Sequence, residues 1–427
     1  MTIFQKRFYC SLCFFLLLLS SLLFYLTSCN SAAPTVENEK DSLQYYILPE
    51  NPALAAVDRN NILTISQHWY DTVLKAKGFS GGILVAKDGN IVFEAYNGTK
   101  YIPGTDSITH NTPLHIASVS KTFTAMAVLK LYQDGKLNLD DEFSNYFPAF
   151  NYPGVTIRCL LNHRSGLPNY SYFMEYLGWD KTLFVKNEDV LNYLIIRKAE
   201  MSDLNSPDKQ FSYCNTNYAL LALLIEKITG TTYADFLNQV FFIPLQMKNS
   251  YVFTIADTLK ATPSYNWRGK PEPYNFLDLV YGDKNIYTTA RDLLTWDRVL
   301  NSNLIFTKET LELAYTPYSN EKPGIRNYGL GWRMNIFPDG NKIIYHNGWW
   351  HGSNATFIRL LKEKATIIVI GNKFTRAIYH AKKLTSIFGN YYTPVDEGEM
   401  LGTTTDSIVI IDSSGHPVST KTAAMKE

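Results

Sequence analysis

Ile116-Ala117-Ser118-Val119-Ser120-Lys121-Thr122-Phe123-Thr124-Ala125-Met126-Ala127-Val128-Leu129-Lys130-Leu131-Tyr132-Gln133 decides the fold. Its apolar residues run nearly all the way round a helix, and Gly135 stands where a C-terminal cap belongs. A helix apolar on every side is buried, so this one is central. A second such helix is expected from Asn217 to Thr229, closed by Gly230. Upstream, Phe79 to Gly98 alternates around Asp88-Gly89-Asn90, with Ile83, Val85, Ile91 and Phe93 on the pattern of a β-hairpin. Downstream, strands are expected at Leu330–Ile336, Lys342–His346, Ser353–Leu361 and Thr366–Ile370, followed by an amphipathic stretch, Arg376–Phe388. Strands at both ends and helices between them predict one sheet interrupted by a helical insertion. That is an α/β architecture with a second, mostly helical lobe at about 166–280, and a site where the lobes meet.

The ends of the chain read differently. Lys6 and Arg7 precede an apolar run from Phe8 to Leu26, then Leu26-Thr27-Ser28-Cys29. A basic start, an apolar run and small residues before a cut are the pattern of an export signal over 1–28. The alternative is an uncleaved anchor, since the run is long enough to span a bilayer. Residues 29–55 read as a polar tether, 56–393 as the catalytic domain and 394–427 as a polar tail, interrupted by Ile408-Val409-Ile410-Ile411. Loss of the signal removes Lys6 and Arg7 and takes the formal charge from +1 to −1. Neither value favours a nucleic-acid partner. It also removes Cys10 and Cys13, leaving Cys159 and Cys214 beside Cys29, so the fold rests on its core and not on a disulfide framework.

No HExxH, paired CxxC, GxxxxGK[ST] or GxGxxG survives in the mature part, so neither a metal nor a nucleotide cofactor is expected. Three other patterns carry chemistry. Ser118-Val119-Ser120-Lys121 opens the central helix; the matching Ser206–Lys209 and Ser319–Lys322 have no buried helix behind them. Residues i and i+3 share a helix face, so Lys121 Nζ can reach Ser118 Oγ, and the helix N-terminus turns free N–H groups toward them. The competing reading is Ser118 as a plain N-cap with Lys121 in solvent. Tyr213-Cys214-Asn215 lies just ahead of the second buried helix, whereas Tyr318–Asn320 and Tyr345–Asn347 share only the spacing. A Tyr hydroxyl can exchange a proton with the nucleophile, and an Asn amide can orient Lys121 or a substrate amide. A Tyr packed at a lobe boundary beside an Asn cap is the alternative. His346-Asn347-Gly348 ends a strand and is followed by Trp349. A Gly there lets a substrate backbone approach, and an N–H just beyond it can complete an oxyanion hole with the N–H of Ser118. A Gly-rich turn between strands is the alternative.

SxxK, YxN and HxG in this order make the chain resemble the serine β-lactamase and penicillin-binding-protein superfamily, in its class C-like branch. The likeness covers roughly residues 60–390. It extends to Leu114–Ala117, Asp134–Asp141, Asn162–Pro168, Ile286–Leu293 and Gly329–Trp332. Leu26–Cys29 likewise resembles the lipobox of bacterial lipoproteins, which implies a lipid on Cys29 and a membrane-tethered enzyme outside the cytoplasm. The family resemblance implies a β-lactamase-like fold: an antiparallel sheet flanked by helices, with the helical lobe beside it. It implies Ser118 as the acylated nucleophile, Lys121 and Tyr213 sharing the base and acid roles, and Asn215 orienting Lys121 and substrate. His346 and Gly348 would line the opposite edge strand, and the N–H groups of Ser118 and Trp349 the oxyanion hole. His163 fits a landmark and reads as structural.

Two departures bear on substrate. His346-Asn347-Gly348 stands where carboxylate-binding members have Lys-Thr-Gly or Lys-Ser-Gly, and His is the weaker cation at neutral pH. Cys214 replaces the commoner Ser. The expected activity is hydrolysis of an ester, an amide or a D-amino-acid peptide bond. The alternatives are a β-lactamase or D-alanyl-D-alanine carboxypeptidase, an idle relative that binds β-lactam or cell-wall peptide, and a carbohydrate-binding surface protein.

Overall fold

The Asp88-Gly89 dipeptide turns the chain as the sequence predicts. Both residues have positive φ, 51° and 76°, the backbone of a tight hairpin between β1 (Gly81–Lys87) and β2 (Asn90–Asn97). The computed structural model describes residues 45–201 and 205–391, with the backbone of two short paired strands at 410–411 and 417–418. These fall within one compact unit, Tyr45–Glu427. The export signal, Cys29, most of the tether and most of the tail lie outside the described residues. No described helix is long and apolar enough to cross a membrane.

The remaining strands are β3 (Leu114–His115), β4 (Tyr251–Val252), β5 (Ser264–Tyr265), β6 (Pro271–Glu272), β7 (Ile286–Thr288), β8 (Arg326–Tyr328), β9 (Arg333–Ile336), β10 (Lys342–Trp350), β11 (Ser353–Leu360) and β12 (Ala365–Gly371). Seven form one antiparallel sheet in the order β2-β1-β12-β11-β10-β9-β8. The N-terminal hairpin thus joins the C-terminal strands through β1 against β12, with Ile83 opposite Val369. Side chains alternate across this sheet. Leu84, Ile344, Phe357 and Ile368 face one core; Ile83, Ile343, Ile358 and Ile367 face another. Because both faces are covered, β11 is buried at every residue.

The helices are α1 (Ala56–Trp69), α2 (Ser120–Gln133), α3 (Ile157–Leu161), α4 (Tyr170–Tyr176), α5 (Asn187–Ile196), α6 (Asn215–Thr229), α7 (Tyr233–Leu237), α8 (Ala290–Leu300) and α9 (Lys308–Ala314). The α1 helix and the 3₁₀ segment Arg376–Ile387 cover the second face. The α2 helix is the hub of the first core and is buried along nearly its whole length, as is α6. The α/β architecture read from the sequence, an antiparallel sheet flanked by helices, is the one observed.

Four boundaries differ clearly from expectation, the first being that β10 runs on to Trp350 instead of ending at His346, so His346-Asn347-Gly348 lies within the strand and not at its end. The α2 helix starts at Ser120, not Ile116, because Ala117 has φ +47° and the chain enters through a 3₁₀ turn, Ala117–Val119. The strand expected from Leu330 begins only at Arg333. Gly331, at φ +86°, is pressed against α2, where a Cβ would stand 2.2 Å from that of Ala125. The α6 helix begins two residues early, at Asn215.

Candidate active site

Ser118 sits on the turn that α2 grows from. Ile116 N–H donates to Ile286 O at 3.0 Å, and Ser120 Oγ accepts from Ile286 N–H at 3.1 Å, so β7 staples the turn from both sides. On the far side, β10 lies so close at Gly348 that a Cβ there would be 2.2 Å from Ile116 O. Gly348 is therefore required by the packing of a strand on the Ser118 turn, where the sequence suggested room for a substrate backbone. Ala117, directly before Ser118, has a left-handed φ of +47°, a strained backbone for a residue with a Cβ.

Lys121 is the second residue of α2, one turn after Ser118, and is fully buried. Its Nζ is 3.1 Å from Ser118 Oγ, 2.8 Å from Asn215 Oδ1 and 2.8 Å from the carbonyl oxygen of Asp283. An amine carries three substituent directions besides its stem. Two are taken by oxygens that can only accept, so the third, toward Ser118, is the one free to hold either a proton or a lone pair. The N-cap reading with Lys121 in solvent does not fit this geometry. Asn215 Nδ2 in turn donates to Ser171 Oγ at 3.4 Å, which fixes its amide orientation.

Tyr213 comes from the loop before α6. Lys121 Nζ is 5.1 Å from its ring centre. His163, at φ +57°, brackets it: Ser212 N–H donates to His163 O at 2.8 Å and Cys214 N–H donates to His163 Nδ1 at 3.2 Å. The rings of His163 and Tyr213 are 4.3 Å apart. Burial first, then the positive charges of Lys121 and Arg333, hold the His163 imidazole well below its usual range, so it is neutral and Nδ1 is free to accept. His163 is thus a structural support of Tyr213. Cys159 and Cys214 are both buried and not joined in a disulfide, and Cys214 Sγ donates to Leu167 O at 3.3 Å.

The third motif is where expectation and structure part. His346 is fully buried; its Nε2 pairs with Tyr328 Oη at 3.2 Å and its Nδ1 with Asn347 O at 2.7 Å. Burial first, then Arg333 and Lys121, push it well below the ordinary histidine range. It is a neutral support inside the lobe junction, not a weak cation on the open edge. Asn347 Oδ1 accepts from Thr356 Oγ1 at 2.8 Å, so that side chain is tied to β11. Trp349 is 37% exposed and its indole N–H donates to His351 O at 2.8 Å.

A cation does approach Tyr213 from another strand. Arg333, at the start of β9, places its guanidinium carbon 4.9 Å from the Tyr213 ring centre and 6.0 Å from that of Tyr328. Sequence reasoning missed it. The available signal was its place directly after Gly329-Leu330-Gly331-Trp332. Among the described residues, no three His, Cys, Asp or Glu side chains converge as a metal site.

Comparison with known proteins agrees with this architecture. A β-lactamase family model matches residues 67–388. Penicillin-binding protein 4* of Bacillus subtilis is 30% identical over 325 residues, covering 72% of this chain and 71% of that protein. A penicillin-binding protein from Bacillus halodurans superimposes with a TM-score of 0.65 at 24% identity, over 76% of this chain and 98% of that one. EstCE1, a hydrolase with promiscuous acyltransferase activity, reaches 0.66 at 18% identity, over 78% and 100%. The chain belongs to the β-lactamase family, within the serine β-lactamase and penicillin-binding-protein superfamily. It is an enzyme of the serine-hydrolase class.

Proposed function

We infer that the protein hydrolyses an ester, an amide or a D-amino-acid peptide bond through an acyl-enzyme on Ser118. The three-way hydrogen bonding of Lys121 carries this reading, because it leaves one direction of Nζ for Ser118 alone. Ser118 Oγ attacks the carbonyl carbon as its proton passes to Lys121 Nζ. Charge on the carbonyl oxygen is assigned to the N–H groups of Ser118 and Trp349, a reading supported by the packing of Gly348 on the Ser118 turn. The leaving group takes its proton through Tyr213, and the same groups then activate the water that releases the acyl chain. Tyr213 and Lys121 do the work of an imidazole, so no Ser-His-Asp arrangement is invoked.

Arg333 favours a second, narrower reading: a substrate with a free carboxylate near the scissile bond, as in D-alanyl-D-alanine peptides. A guanidinium against an aromatic face keeps its planar donor fork for a carboxylate, and it is always charged. Neutral His346 cannot take that role. The expected result is that Arg333→Met lowers kcat/KM on a D-alanyl-D-alanine peptide by about 10- to 100-fold, the worth of a charged hydrogen bond. Turnover of a neutral p-nitrophenyl ester should change little. Equal losses on both substrates would remove Arg333 from carboxylate recognition, and turnover of both substrates that persists in a folded Ser118→Ala variant would remove the acyl-enzyme reading.

A further inference from the structure

Two adjacent residues of α4 each tie down one of the two oxygens that hold Lys121. Ser171 Oγ accepts from Asn215, the first of them. Tyr170 Oη donates to Asp283 Oδ2 at 2.9 Å, and the carbonyl of Asp283 is the second. Lys284 completes this second tie. Its Nζ donates to Tyr170 Oη and stands 3.5 Å from Asp283 Oδ1, which has no other partner. It also lies 4.6 Å from the Trp350 ring centre. Both members of the ion pair are buried, at 3% and 2% exposure. Burial pushes the Lys284 amine down while Asp283 and Asp278 hold it up, and burial with the Asp283 charge drives the Tyr170 hydroxyl well above its usual range.

The flanks of this pair are fixed by other means. Gly282 O accepts from Thr124 Oγ1 at 2.6 Å, and a Cβ at Gly282 would strike Tyr218 O at 2.4 Å. Asn285, at φ +76°, donates to Asp278 O and Val280 O and faces His115 Nε2 at 3.2 Å. The loop is therefore wedged between α2 and α6, the helices that carry Lys121 and Asn215. Only the Asp283–Lys284 peptide, the one whose oxygen meets Lys121, is set by buried charges. A buried ion pair is weak support for stability, since an apolar pair of similar volume does as well. Its presence at this point needs a different account.

We propose that Lys284 is a positioning residue: with Asp283 and Tyr170 it fixes the peptide carbonyl that holds Lys121 on Ser118. This rests on the reading of Lys121 as the base for Ser118. The test is single-turnover acylation of the purified full chain by a p-nitrophenyl ester, with substrate binding measured separately and thermal melting followed. Lys284→Met leaves Asp283 unpaired, so it loses stability as well as rate. The double variant Asp283→Asn/Lys284→Met removes both charges and restores melting toward wild type. Its acylation rate should stay about 10- to 100-fold low with binding unchanged, the scale expected of a displaced catalytic group. Tyr170→Phe, which keeps both charges, should lower the same rate in the same direction. Recovery of the wild-type rate along with stability in the double variant would overturn the proposal. If the wild type itself forms no Ser118 ester, the reading of Lys121 fails instead.

Discussion

Lys121→Met should lower the acylation rate of Ser118 by about 10²- to 10⁴-fold, the usual contribution of a positioned general base. Methionine keeps the length and apolar character that α2 needs at a fully buried position. What it removes is the nitrogen that stands 3.1 Å from Ser118 Oγ. The same change strands Asn215 Oδ1 and the Asp283 carbonyl without their donor, a cost of about 1–3 kcal/mol for each buried acceptor left unpaired. Melting must therefore be followed beside the rate, and the rate compared at a temperature where both proteins are folded. Lys121→Arg should not rescue, because a guanidinium does not deprotonate and cannot accept the Ser118 proton. Acylation within tenfold of wild type in either variant would show that another group takes that proton.

The largest effect on stability is expected from Arg359. This residue lies on β11 beneath α8, with 1% of its side chain exposed. Its guanidinium meets Asp297 Oδ1 at 2.5 Å, Asn301 Oδ1 at 3.0 Å and the hydroxyl of Tyr315. Asp297 Oδ2 accepts from Thr366 Oγ1 at 2.6 Å, so the network ties β11, β12 and α8 together. Arg359→Met leaves Asp297 as an uncompensated buried charge, which costs about 3–5 kcal/mol. That is a large share of the 5–15 kcal/mol typical of a folded domain's stability. Urea unfolding should show a lower midpoint at unchanged slope. The double variant Arg359→Met/Asp297→Leu should regain most of the loss, since no charge is then left alone. A single variant as stable as wild type would mean that water or another cation reaches Asp297.

What the sequence disclosed, and what it hid, follows from how each residue acts. The hairpin was legible because Asp88-Gly89 is a local turn signal, and α2 and α6 because a helix buried all round has no polar stripe. Ser118, Lys121 and Asn215 could be brought together because each sits at the start of one of those helices, where position alone narrows the geometry. The start of α2 was misplaced by four residues, because no local pattern announces the left-handed φ of Ala117 or the 3₁₀ turn it opens. The role expected of His346 rested on its standing where relatives have a lysine; only the packing of Tyr328 and Tyr213 around it shows that it is buried. Arg333 was invisible for the complementary reason. A cation can reach one site from several strands, and no local pattern marks which strand supplies it. Asp283-Lys284 carries no sequence pattern that marks it, since adjacent opposite charges are normally solvated.

The central claim is that Ser118, driven by Lys121, takes the acyl group. Intact-protein and peptide mass spectrometry after reaction with a fluorophosphonate or a labelled penicillin tests it most directly. One adduct per chain is expected, on the peptide carrying Ser118, absent from a folded Ser118→Ala variant and strongly slowed in Lys121→Met. A folded wild-type protein that takes no label, or label that persists in Ser118→Ala, would contradict it.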